Sequence, residues 1–204
     1  MNLPTRILAL DLETGGLSSQ YDPILQIGAA VMEGDEVVDI YQSRVRPNME
    51  KFKISLSALA VQASDISTPD GAAKALEWFN NLATAPESGD VAREFAEWCV
   101  KHDAAGLPLV AHNCSFDAAF LTQWAFQQKR AFKPVPLGAV SICTMQLAKR
   151  VLPGGTGYGL DACLLLAGLP TRPGAHDALQ DAILCGRVYH FLSKQLTGEV
   201  TNNA

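Results

Sequence analysis

Asp11 and Glu13 stand two residues apart at the end of a short apolar run that begins at Ile7. On an extended strand that spacing projects both carboxylates from one face, about 7 Å apart along the chain, where they can share divalent cations. An acid pair of this kind also marks ordinary strand ends and turns, and Glu33-Gly34-Asp35 reads as only a turn. What sets the first pair apart is the apolar strand before it and Thr14-Gly15-Gly16 after it, where small residues let a ligand approach the backbone.

Two further acids carry a helical signature. Phe120, Leu121 and Trp124 lie three, four and seven residues beyond Asp117, so all four share one face of a helix. An acid on such a core-facing stripe is costly unless it is paired or binds a metal. Asp181 repeats the pattern, with Cys185, Val188 and Leu192 at four, seven and eleven residues. His176 precedes Asp181 by five residues, a spacing that on a regular helix points about 140° away. It is therefore placed on the preceding loop, free to swing toward Asp181. Asn113 reads either as the N-cap of the Asp117 helix or as a site residue, Asp177 as the N-cap of the Asp181 helix, and His112 as a strand-end residue.

The elements that must hold these groups follow from periodicity and punctuation. Strands are expected at 7–13, 24–32 and 36–45, the last two joined by a hairpin at Glu33-Gly34-Asp35. Helices follow at about 71–82 and 91–101, with a surface loop at Pro86–Gly89 between them. A strand at 107–111 leads to an amphipathic helix from Cys114 to Lys129. A short strand near 139–142 leads to a helix at 144–151, and two more helices run over about 160–167 and 177–196. This order indicates one mixed α/β sheet with helices packed on its faces. The stretch Gly154 to Gly159 lacks the Gly-Lys-Ser/Thr of a phosphate loop and reads as a flexible turn near the site.

Composition narrows the function classes. With 204 residues, 48% hydrophobic and 18% charged, the chain suits one domain with a sizeable core. Its net charge of −5 argues against wrapping duplex nucleic acid, which needs a basic surface, but not against handling a short single-stranded end with metal ions. Five cysteines without any Cys-x-x-Cys pair exclude the common zinc spacings and fit a reducing cytoplasm, the expected location. No signal peptide or membrane span is expected.

Taken together, the motifs resemble the DEDDh branch of the DEDD exonucleases, which includes DnaQ-like and ribonuclease T-like enzymes. The first motif is Leu10-Asp11-Leu12-Glu13-Thr14-Gly15-Gly16-Leu17, the second runs from Val110 to Asp117, and the third from His176 to Ala182. The resemblance extends from about Arg6 to Leu192. It implies a ribonuclease H-like α/β fold: a mixed five-stranded sheet, its first three strands an antiparallel meander, with helices on both faces. The whole chain, 1–204, is then one exonuclease domain, with a core of about 6–196 and a flexible tail. Two positions depart from the common pattern: Gly15, where many relatives carry threonine, and Cys143, where an aspartate is common. Neither supplies a catalytic carboxylate.

The resemblance also implies a mechanism. Asp11 would bridge two Mg²⁺ or Mn²⁺ ions, Glu13 and Asp181 would complete one site, and Asp117 would hold the second ion. His176 would be the general base, an imidazole being suited to proton transfer near neutrality. Thr14, Gly15, Gly16 and Leu17 would receive the terminal nucleotide, with Leu17 as a wedge and Asn113 and Phe116 as further substrate contacts. Arg44, Arg46, Lys51 and Lys53 are read either as phosphate contacts or as a solvated basic edge. The implied partners are single-stranded nucleic acid 3′ ends, a second copy in a homodimer and a polymerase. Two rivals remain: a non-catalytic binding module of the same fold, and an aspartyl-phosphate phosphatase. The phosphatase class normally has an aspartate where Glu13 stands.

Overall fold

Alternation along one central strand divides the core in two. In the computed structural model, β1 (Arg6–Thr14) sends Leu8, Leu10 and Leu12 into one buried cluster and Ile7 and Ala9 into another on the opposite face. Successive strand side chains point to opposite faces, so a strand with both sides apolar must be covered on both. The structure describes residues 3–51, 54–55, 57–58, 66–128, 140–152, 154–155, 157–172 and 174–198. Lys53, the end of the Ser57–Val61 segment, Thr156 and the tail beyond residue 198 lie outside them.

β2 (Ile24–Glu33) is buried along all but its last residue, whereas β3 (Glu36–Arg44) is the half-exposed edge. Gly34, with φ of +59°, makes the turn between them. β4 (Leu109–Ala111) and β5 (Ser141–Cys143) are three-residue strands. The sheet order is β3-β2-β1-β4-β5, antiparallel among the first three strands and parallel from β1 to β4 to β5. The expected mixed five-stranded sheet with an antiparallel meander is what forms.

One face is covered by α2 (Ser88–Lys101) and α3 (Cys114–Gln127), which contribute Val91, Phe95, Phe120, Leu121 and Trp124 to its core. α1 (Pro69–Ala83) precedes them, capped by the Thr68 hydroxyl. On the other face α4 (Thr144–Val151), α5 (Leu160–Leu166) and α6 (Ala178–Thr197) supply Ala148, Leu164, Cys185, Val188 and Tyr189. The connection expected at Pro86–Gly89 is shorter than predicted. Helix α2 already begins at Ser88, with Glu87 as its N-cap, so two residues that usually break helices open one instead.

Two close approaches fix α6 on the sheet. A Cβ on Gly28 of β2 would lie 2.1 Å from the backbone of Ala178 and Leu179, so the first turn of α6 rests directly on this strand. Two turns further along, a Cβ on Gly186 would lie 2.2 Å from the Met32 sulfur and 3.2 Å from Ala9 Cβ. Gly28 is also the register partner of Asp11. The start of α6 is thereby set over the acidic end of β1.

Candidate active site

β4 pairs with β1 only at Leu8 and Ala9, so the outer half of β1 outruns its parallel neighbour. The Leu8 N–H donates to Pro108 O on that side. By alternation the Leu12 N–H points the same way, beyond the reach of β4. The chain leaving Ala111 turns through Asn113, in the left-handed region at φ 65°, and enters α3. That turn brings the Asp117 carboxylate back to accept a hydrogen bond from the Leu12 backbone. Asp117 is 2% exposed, and the sheet supplies the donor that a buried carboxylate requires. Asn113 does occupy the N-cap position, but its side chain makes no capping bond; its Oδ1 instead accepts from Ser115 Oγ at 3.4 Å.

Asp181 projects from the first turn of α6, buried as its helical stripe requires. His176 lies on the loop before that helix and reaches back, placing Nδ1 3.1 Å from Asp181 Oδ2. Ligating atoms of Glu13, His176 and Asp181 all lie within 4.8 Å of one another. Asp177 is the N-cap of α6: its Oδ1 accepts from Gln180 N at 3.0 Å, and its Oδ2 from Gln26 Nε2 at 2.9 Å and Gln42 Nε2 at 2.7 Å. Strands β2 and β3 thus grip the residue next to His176.

The electrostatics agree with convergence. The proton affinity of Asp11 is raised well above the carboxylate range, first by burial and then by Asp117, Glu13 and Asp181. Asp117 is pushed up to about 8, chiefly by burial, with Glu13 adding and two backbone N–H donors opposing. The four carboxylates therefore feel one another where the strand ends and two helices begin, but among the described residues only Glu13, His176 and Asp181 bring ligating atoms within 4.8 Å; Asp11 and Asp117 stand outside that group. One further observation bears on what they hold: Asp181 Oδ1 is buried with no hydrogen-bond partner among the described residues. An open buried acceptor among hard oxygen donors fits a divalent ion such as Mg²⁺ or Mn²⁺.

The residues after Glu13 form a compact loop. Thr14 Oγ1 donates to Gly16 O at 2.7 Å, Gly15 N to Pro23 O at 2.8 Å, and Ser18 N to Asp22 Oδ2 at 2.8 Å. A Cβ on Gly16 would meet the Asp22 carboxylate, which would have to shift and loosen its bond with Ser18 N. Leu17 at the tip is 88% exposed. A cleft of about 800 Å³ shares this loop, bounded by Ser19, Asp22, Arg46, Lys51, Phe120 and Trp124, but none of the four acids lines it. Arg46 is paired with Glu87 at 2.6 Å, and Arg44 is exposed. Phe116, half-buried, packs on Phe120 with ring centroids 4.7 Å apart.

Two further residues complete the surroundings. His112, read as a strand-end residue, donates from Nε2 to Tyr158 O and accepts at Nδ1 from Thr144 Oγ1, each at 2.9 Å. Burial lowers its pKa, so it is a neutral strut between β4, α4 and the glycine-rich loop. Arg172 escaped the sequence reading altogether. Its side chain is 9% exposed, with Nη1 2.8 Å from Asp181 Oδ2 and Nε 3.1 Å from Asp161 Oδ1. A loop arginine has no periodic signature; its place beside a second helix's acid becomes visible only after folding.

Comparison with known proteins identifies the family. A family model described as "Exonuclease" matches residues 77–189, a span that holds Asp117, His176 and Asp181. The PolC-type DNA polymerase III of Oceanobacillus iheyensis is 32% identical over 149 residues, 72% of this chain but 8% of that protein. That of Bacillus subtilis is 33% identical over 114 residues, 56% of this chain and 6% of that protein. The chain therefore spans less than a tenth of these relatives. Among solved structures, the nuclease domain of 3′hExo, a DEDDh family member bound to rAMP, superposes with a TM-score of 0.69 at 16% identity, over 95% of this chain and 93% of that one. Exonuclease X in complex with 5′ overhanging duplex DNA is 27% identical, with a TM-score of 0.55 over 96% and 93% of the two chains. No helix among the described residues is long and apolar enough to cross a membrane. With the family model matched over more than half its length, the chain belongs to the exonuclease family.

Proposed function

We propose that this chain is a DEDDh-type 3′–5′ exonuclease. It hydrolyses the terminal phosphodiester of single-stranded DNA or RNA and releases nucleoside 5′-monophosphates with two Mg²⁺ or Mn²⁺ ions. One observation carries the reading: His176 and Glu13 converge on an Asp181 carboxylate whose other oxygen is buried and open. Glu13 and Asp181 would hold one ion, Asp117 the other, and Asp11 would bridge them. Divalent ions at such a site make bound water a better nucleophile near neutral pH and neutralise charge on the phosphoryl oxygens.

The chain's own residues do the rest. His176, with Nδ1 3.1 Å from Asp181 Oδ2, takes the proton of the attacking water. The Thr14–Asp22 loop receives the terminal nucleotide, and exposed Leu17 packs against its base. Asn113, held in a left-handed turn, and Phe116 border the same end of the sheet. Residues 1–204 act as one domain. The PolC-type relatives favour a polymerase as partner, and a homodimer is the second partner expectation.

The deciding experiment is digestion of matched 5′-labelled DNA and RNA single strands, with and without Mg²⁺ or Mn²⁺, using Asp11→Ala as the blank. A metal-dependent ladder shortening from the 3′ end, absent from the blank, is expected. Intact strands with both metals, or equal cleavage by the blank, would remove the proposal. The relative rates on DNA and RNA identify the substrate.

A further inference from the structure

Arg172 is a largely enclosed cation, its side chain 9% exposed, bonded to a carboxylate that the proposed function assigns to a metal ion. Its guanidinium is shared between two acids of opposite character. Asp181 belongs to the cluster and has a 4% exposed side chain; Asp161 lies on α5 with a 55% exposed side chain. Arg172 also lowers the proton affinity of Asp11, against burial and three acids that raise it. Asp181 Oδ2 already has two neighbours, Arg172 Nη1 at 2.8 Å and His176 Nδ1 at 3.1 Å, while Oδ1 has none among the described residues.

We propose that Arg172 is a resident counter-cation of Asp181 and a positioning residue that sets how tightly the carboxylate cluster binds divalent ions. This rests on the metal-site reading above. The physical argument is one of charge. Four converging carboxylates repel one another, and a fixed guanidinium beside one of them relieves part of that repulsion in the metal-free protein. The same positive charge, held a few ångströms from the site, opposes the entry of a divalent cation. Arg172 thus trades affinity for metal against order in its absence. Asp161 tempers the effect by drawing part of the guanidinium's charge away from Asp181.

The test is Mn²⁺ binding by isothermal titration calorimetry at fixed ionic strength, with the melting temperature of each metal-free protein measured alongside. No nucleic acid is present. Arg172→Gln, neutral and of similar length, is expected to tighten Mn²⁺ binding about tenfold, the order expected from removing one nearby charge. It should also lower the metal-free melting temperature. Asp161→Asn leaves the whole guanidinium charge to Asp181. It is expected to weaken Mn²⁺ binding roughly two- to threefold without lowering the metal-free melting temperature.

A purely structural strut predicts otherwise. Loosening it from either end should weaken metal binding, and Asp161→Asn should cost stability as well. Weaker or unchanged binding in Arg172→Gln overturns the proposal. If that variant does not fold, Asp161→Asn decides: weaker binding with stability retained supports it, and any other combination overturns it. Absence of Mn²⁺ binding by the unmodified protein sinks the metal site itself, and the proposal with it. Binding that ignores both substitutions refutes only the role of Arg172.

Discussion

Replacing Gly28 by alanine tests how the fold delivers α6 to the acids of β1. The added Cβ would lie 2.1 Å from both Ala178 C and Leu179 N, against about 3.4 Å for ordinary contact, so the first turn of α6 must retreat by more than 1 Å. No rotamer can relieve the clash, because the obstructing atoms are backbone. That turn carries Asp181 and follows His176 directly. Overpacking of this kind costs about 1–3 kcal/mol, a melting-temperature loss of roughly 2 to 12 °C for a chain of this size. A displacement near 1 Å in a catalytic group costs on the order of 10²-fold in rate. Turnover of a 5′-labelled single strand with saturating Mg²⁺ should therefore fall about a hundredfold while the protein remains folded. Gly186→Ala is the control. Its new methyl meets side-chain atoms of Met32 and Ala9 rather than backbone, and alanine gains about 1 kcal/mol of helix propensity. Its rate should stay within about threefold of the parent. Equal behaviour of the two variants, or full activity in Gly28→Ala, would refute the claim that this contact aligns the site.

Other outcomes follow from the same geometry. His176→Ala should lower turnover by roughly 10² to 10⁴ at saturating metal; a loss below threefold in single-turnover assays would exclude it as the base. Asp177→Ala strips an acceptor from Gln26, Gln42 and Gln180 N. It should cost about 2–4 kcal/mol through the lost cap and the stranded buried Gln26 amide, and calorimetry showing no loss of melting temperature would contradict that. Asp117 binds its proton more tightly in the folded protein, up to about 8, than in the unfolded chain, where its ordinary value is 3.8. The folded state then holds more protons between those values, so metal-free stability should fall as pH rises from about 4 to 8. Millimolar Mn²⁺ should raise the melting temperature most at the alkaline end of that window. A metal-free melting temperature that climbs with pH across the window would reverse the assignment.

Much of this arrangement is legible in the sequence because periodicity records it locally. The split of Leu8, Leu10 and Leu12 from Ile7 and Ala9 foretells two core layers. Asp117 and Asp181 betray themselves as acids on apolar helical stripes, and the misfit spacing of His176 places it on a loop, where it is found. The unread parts are contacts between distant segments. Nothing near residue 172 announces a partnership with Asp181. Gly28 looks like any small residue in a buried strand until α6 is laid against it. Gln26 and Gln42 are ordinary polar positions until Asp177 arrives from more than a hundred residues away. The boundary at Ser88 was missed for a different reason: Pro86, Ser88 and Gly89 punctuate a loop and a helix start alike.

The bond from the Leu12 backbone to Asp117 ties chemistry to architecture in one atom group. Where β4 gives out, a side chain from another element serves the sheet as a substitute carbonyl. A lineage that lost its enzymatic role would still need an acceptor at that address, and asparagine would keep the strand end intact where alanine would fray it. Retention of a polar residue at position 117 is thus weaker testimony to activity than retention at position 181, whose second oxygen serves no such framework duty.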